Sequence, residues 1–293
     1  MVRKVEEEGN LMAKFQKSSK NIRLAFLINL LFSIGEFIGG LFTNSVAIMS
    51  DAIHDFGDAV ALGLSWFLQR FSNKDKDENF SFGYQRFSLL GALINAIVLI
   101  AGSIYIFFQA VPLLFNPEHS NALGMIWFAI AGVLLNGYAA FRLHKGKSVN
   151  EGALSWHMLE DVLGWVAVLI VGIVLLFKDI HILDPILSIA IALFIVVNVI
   201  RNLVKTLKIL LEGVPEGVDV EKVQSTIENI PGVLSVQHLY IWSIDGEENA
   251  LNLHLLVKKS DFDDSDAIKD KIREATSGLQ ISHSTIELNW ESN

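Results

Sequence analysis

The feature that most constrains this chain is a series of six apolar blocks, near residues 22–43, 46–70, 87–113, 122–143, 153–177 and 182–208. A helix needs about 20 mostly apolar residues to cross a bilayer, where its backbone polar groups must all be satisfied within the segment. The blocks therefore predict a membrane bundle of six helices. The second and fifth carry ionisable residues inside otherwise apolar sequence. The connection between the first two is very short, around Thr43 and Asn44, and the third is expected to turn over at Pro112 and Pro117.

Basic residues set the orientation of such a bundle. Lys14, Lys17, Lys20 and Arg23 precede or open the first block, Arg70, Lys74, Lys76 and Arg86 lie between the second and third, and Arg142, Lys145 and Lys147 follow the fourth. Arg201, Lys205 and Lys208 end the sixth, whereas the opposite loops hold little beyond Lys178. Both termini are expected on the cytoplasmic side of a multi-pass protein, in the cell (inner) membrane. The acidic run Glu6, Glu7 and Glu8 is unlike the basic start of a cleaved signal peptide, so the first block reads as a retained helix.

From about Gly213 the pattern becomes that of a soluble domain. Residues 220–230 have helical spacing behind a capping Asp219. Residues 235–244 and 250–257 alternate as strands around the turn signal Asp245-Gly246, residues 267–275 read as a helix, and 284–290 alternate again. The order αββαβ suits a small α+β layer with helices on one face of a sheet. The division is then an N-terminal segment 1–20, a transmembrane domain 21–211 and a cytoplasmic domain 212–293.

Two exclusions narrow the chemistry. The chain has no cysteine, which removes disulfides, thiolate metal sites and cysteine nucleophiles. Its formal net charge of −9 argues against a nucleic-acid partner.

Within the second block His54 and Asp58 are four residues apart, so a helix stacks them on one face. His157 and Asp161 repeat the spacing in the fifth block. Two imidazoles and two carboxylates can complete the tetrahedral N/O shell that zinc prefers. One HxxxD is a weak signal, since a lone buried histidine is usually satisfied by hydrogen bonds. Two copies in apolar spans are harder to explain, because a charged residue at the bilayer centre costs about 2.5–3.5 kcal/mol on insertion scales. Neutral imidazole binds metal and imidazolium does not, so metal and protons compete for these four side chains. Asp51, one turn before His54, reads as a partner of the ligands, a helix-end charge or a residue on the access path. Asp55 and Glu160 point elsewhere on their helices and stay outside the ligand set. Glu36 either lines the cavity or pairs with a donor.

These residues resemble the cation diffusion facilitator family of zinc transporters. The resemblance spans residues 21–291: the SDAxHDxxD stretch at 50–58, the HxxxD at 157–161, Phe82-Gly83-Tyr84-Gln85-Arg86, Asp184-Pro185, Leu211-Glu212 and His238-Leu239-Tyr240-Ile241-Trp242. It implies a homodimer of membrane all-α six-helix bundles, each with a C-terminal α+β (ferredoxin-like, αββαβ) cytoplasmic domain for regulation and dimerisation. It implies zinc/proton antiport by alternating access, no enzymatic activity, and a transport site of His54, Asp58, His157 and Asp161. Histidine at the first position goes with zinc selectivity in the family, and aspartate there with acceptance of cadmium. Arg86 and Glu212 resemble a family charge pair near the dimer interface.

Some family features are altered. The histidines of a loop metal site found in some members are replaced by Phe80 and Tyr84, so that site is expected to be missing. His238 and His254 match two ligands of a zinc pair in the tail, with Glu287 at the third position, but strand alternation alone also places His254 on one sheet face. His283 is a further candidate there. His144 is what remains of a histidine-rich loop, and His119 and His181 read as extracytoplasmic loop positions. Three rivals remain. A metalloprotease needs an open coordination position, and no HExxH occurs here. A membrane metal sensor without transport, and a carrier for Mn2+, Fe2+ or Cd2+, share the same ligands.

Overall fold

The structure, a computed structural model, describes residues 27, 30–72, 74, 76–144, 149–258 and 265–290, with side chains outside the description at 62, 65, 66, 69, 70, 139, 142–144 and 149–157. The described residues divide into two compact units, one comprising those up to Phe67 with Ile94–Asn202, the other those from Leu68 to Leu93 with those from Leu203 onward.

Helices α1 (Leu30–Thr43), α2 (Val46–Ser72), α3 (Phe87–Phe115), α4 (Ala122–His144), α5 (Val149–Phe177) and α6 (Leu183–Leu210) occupy the six apolar blocks. Among the described residues, Phe87–Phe115, Met158–Phe177 and Leu183–Leu210 are long and apolar enough to cross a membrane. Helix α2 has the length, at 27 residues, but its Asp51, Asp55 and Asp58 lower its apolarity. The α1–α2 link is a tight turn with Asn44 at φ 51°. Asp184, at the start of α6, caps α2: its carboxylate accepts from Ser45 Oγ at 2.5 Å and Val46 N–H at 2.8 Å. These bonds satisfy donors that a buried helix end would otherwise leave orphaned.

Helix α3 does not turn over at Pro112, which lies inside it. The ring deletes a donor only within the last turn, and the Asn116 N–H still reaches the Pro112 carbonyl at 3.1 Å. The turn follows beyond Phe115 instead.

In the first unit large apolar side chains face outward, including Phe42, Phe108, Trp127 and Phe177, while Glu36, Ser50, Asp51, Asp55, Asn136 and Asp161 are buried. This reverses the soluble pattern and suits a lipid surround with a polar interior. Trp165 joins α2, α4 and α5, packing with Ala47, Ile48, Met125 and Ala129. Helix α4 lies closely along α5 because Gly132 leaves room for the Trp165 ring, which a Cβ at that position would overlap. Small residues serve such close approach in membrane bundles.

The second unit carries α7 (Val220–Glu228), β1 (Val233–Ser243), β2 (Asn249–Val257), α8 (Ser265–Ala275) and β3 (Ile281–Trp290). Asp219 caps α7, accepting from the Lys222 N–H. Gly246, at φ 103°, turns β1 into β2, which pair antiparallel. The crossover through α8 makes β3 parallel to β2, giving the order β1-β2-β3. Leu251, Leu253, Leu255 and Val257 on the central strand pack with Ile227 of α7 and with Ile268 and Ile272 of α8.

Candidate metal centre

Helix α2 presents His54 and Asp58 one turn apart, with His54 Nε2 3.6 Å from Asp58 Oδ2. The same nitrogen is 4.0 Å from Asp161 Oδ1 on α5. Three of the four expected intramembrane ligands thus converge. His157 lies on α5 one turn before Asp161, and its side chain is outside the described residues. Asp161 is buried, while His54 and Asp58 remain about one-fifth exposed.

Neutral imidazole nitrogens and carboxylate oxygens form a donor set suited to a borderline divalent ion such as zinc. Tetrahedral bonds of about 2.0–2.2 Å place ligand atoms about 3.3–3.5 Å apart. The His54–Asp58 separation is close to that span, and the His54–Asp161 separation exceeds it by about half an ångström.

A second layer of acid lies beside this group. Asp51 is buried and its Oδ1 faces the backbone of Gly164 on α5, placing it between the two ligand-bearing helices. Glu36 is buried beside the carboxylates of Asp55 and Asp51, so among the described residues its neighbours at this point are acids. Helical spacing excluded Asp55 from the ligand set but gave no sign that it is buried. That burial depends on α1, whose contribution no local motif announces.

In the second unit His238, His254 and Glu287 are register partners across β1, β2 and β3. The two imidazole centroids are 5.6 Å apart, and His254 Nε2 lies 3.7 Å from Glu287 Oε2. They share the face of β2 turned away from the Leu253 and Leu255 core. His283 does not join them and packs edge-on against Phe82 at 5.4 Å. Arg86 Nη2 reaches Glu212 Oε1 at 3.2 Å, and its Nε donates to the Ile244 carbonyl at 3.1 Å.

The Phe80, Tyr84 and Phe87 rings pack together in tilted and edge-on pairs, with centroids 4.6–5.5 Å apart. The Tyr84 hydroxyl donates to Asp77 Oδ2 at 2.8 Å, and the Asn79 and Phe80 N–H groups donate to Asp77 Oδ1. These donors, Tyr84 first, hold the Asp77 carboxyl below its ordinary range, while the same bond raises the Tyr84 hydroxyl. His144 has its side chain outside the described residues. Asp179 meets His119 and His181 across two loops, a convergence that no local motif announces.

Comparison with known proteins agrees in length and organisation. Residues 22–211 match the cation efflux transmembrane domain, and residues 215–289 match the cation efflux protein cytoplasmic domain. The chain is 34% identical over 279 residues to the zinc transporter ZitB of Pectobacterium atrosepticum, covering 94% of this chain and 86% of that one. It is 31% identical over 279 residues to a cadmium, cobalt and zinc/H(+)-K(+) antiporter of Bacillus subtilis, covering 94% and 90%. It is 29% identical over 272 residues to the metal cation efflux system protein CzcD of Cupriavidus metallidurans, covering 92% and 86%. With a His/Asp group between apolar helices, and with matches to both domains, the chain belongs to the cation efflux family of membrane transporters and is not an enzyme.

Proposed function

We propose that this protein exports Zn2+ from the cytoplasm in exchange for protons, with His54, Asp58, His157 and Asp161 as the transport site. The observation that carries the reading is the approach of His54 Nε2 to carboxylates from two helices, at 3.6 Å and 4.0 Å. His157 completes the tetrahedron from the α5 turn before Asp161. Relatives named for zinc transport, and for antiport of cadmium, cobalt and zinc, support the substrate and the exchange.

The exchange follows from burial. Bound Zn2+ compensates Asp58 and Asp161 and ligates neutral imidazole. When it leaves, uncompensated carboxylates in an apolar surround are costly, and protons supply the missing positive charge. Protonated imidazole cannot ligate, so high proton concentration on the far side favours metal release. Alternate exposure of the site to the two sides converts this competition into export. The remaining parts of the reading are six spanning helices in the cell membrane, cytoplasmic termini, and a homodimer held by ferredoxin-like tails. The tail residues His238, His254 and Glu287 form a regulatory metal site within it.

Proteoliposomes loaded with zinc and pH dyes test the exchange under an imposed pH gradient. Coupled zinc and proton fluxes are expected, and Asp58→Ala or Asp161→Ala should abolish both. Zinc flux persisting in these variants would overturn the site, and zinc flux without proton flux would overturn the coupling. His54→Asp should raise the cadmium-to-zinc transport ratio, because a carboxylate can bind through both oxygens and so serve the higher coordination number of the larger ion.

A further inference from the structure

Two connections in the first unit bring together a second donor set. His119 precedes α4, and Asp179 and His181 lie between α5 and α6. His181 Nε2 is 2.8 Å from His119 Nδ1 and 2.6 Å from Asp179 Oδ1. His119 Nδ1 and Asp179 Oδ1 are 3.6 Å apart. These three atoms come from side chains remote from His54, Asp58 and Asp161 in sequence.

The backbone holds the pieces in place. Asn44 Nδ2 donates to the His119 carbonyl at 3.3 Å, and the Asn121 N–H donates to the Thr43 carbonyl at 2.7 Å. The other connection is closed by the Leu183 N–H on the Ile180 carbonyl at 3.2 Å. His181 is mostly buried, whereas His119 and Asp179 are about four-fifths exposed, leaving the cluster open to solvent.

The Ser120 N–H donates to His181 Nδ1 at 3.2 Å, which leaves the single ring hydrogen of neutral His181 on Nε2. That hydrogen faces both Asp179 and His119. Three potential ligand atoms therefore converge on one proton. We propose that His119, Asp179 and His181 form a second, open site for a borderline divalent cation such as Zn2+, with water filling the remaining coordination.

The His119–Asp179 separation already fits two ligands of a tetrahedral ion, about 3.3–3.5 Å apart. His181 Nε2 must withdraw by about 0.5–0.9 Å to fit the same geometry. As it does so, its hydrogen moves to Nδ1 and the bond from Ser120 is given up, because a neutral imidazole bound through Nε2 carries its proton on the other nitrogen. The ring retains one hydrogen throughout. The site therefore links metal binding to the hydrogen bond that joins the two connections.

The test uses the full chain in nanodiscs, with Asp58→Asn and Asp161→Asn silencing the intramembrane site and His238→Ala and His254→Ala silencing the tail. Zinc calorimetry should give about one bound ion per chain, and Co2+ should show the visible absorption of a low-symmetry site. His119→Ala should weaken zinc at least tenfold and remove that absorption. Asp179→Asn, which preserves shape and hydrogen bonding, should also weaken zinc at least tenfold. Absence of zinc binding in the background, or unchanged isotherms in both variants, would overturn the proposal. Because the transport ligands are already substituted, this result is independent of the transport reading.

Discussion

Asp77 receives the Tyr84 hydroxyl and two backbone N–H groups, and its carboxylate is favoured over its acid form. The native arrangement therefore has its full contribution above the unfolded carboxylate value, about 3.9, and loses it as pH falls through the lower folded value. Tyr84→Phe removes the leading donor. Carboxyl-carbon NMR should show the Asp77 midpoint shifting back upward. Arg86 and Glu212 make a second test at this scale. Glu212 is 60% exposed, so Glu212→Ala should cost less than about 1 kcal/mol in urea unfolding. Arg86→Ala also leaves the Ile244 carbonyl without its charged donor and should cost about 1.5–3 kcal/mol. Neither difference is visible in the motif Phe82–Arg86, because the partners lie far along the chain.

At the scale of elements, close helix approach makes its own demands. Trp165 is fully buried against Gly132, so a methyl there overlaps the ring. Gly132→Ala should destabilise the bundle by about 1–3 kcal/mol and lower its thermal midpoint. Among the described residues nothing lies within 4 Å of the Gly35 Cβ position, and Gly35→Ala should hold or raise that midpoint, since alanine favours helix by about 1 kcal/mol. Fluorescence-detected size-exclusion chromatography after heating checks both. The sequence announces the helices through their apolar length and α7 through Asp219. It does not distinguish Gly132 from Gly35, because their roles depend on what another helix places opposite them. Pro112 shows the converse: its backbone restriction is local, but its proximity to the helix end makes the restriction tolerable.

For the whole molecule the proposed orientation has a direct test, because the chain has no native cysteine. Lys178→Cys should react with an impermeant maleimide in intact cells, and Glu247→Cys only after the membrane is opened. Labelling of Glu247→Cys in intact cells would reverse the orientation. The paired HxxxD motifs were legible because helical periodicity stacks each pair. Bringing His54 to Asp161 required packing of two distant segments, and seating Glu36 beside Asp55 required a third. Likewise, His238, His254 and Glu287 could be singled out individually, whereas strand register decides that they stand side by side.

The amino-acid sequence by itself determined an apolar helical domain, an αββαβ tail and two imidazole–carboxylate pairs, because apolar length and side-chain periodicity are properties of adjacent residues. Tertiary structure decided which acids are buried, where α4 can approach α5, and that His119 meets Asp179 and His181. Those outcomes depend on excluded volume and convergence between distant segments, which local hydrophobicity and backbone preference do not encode.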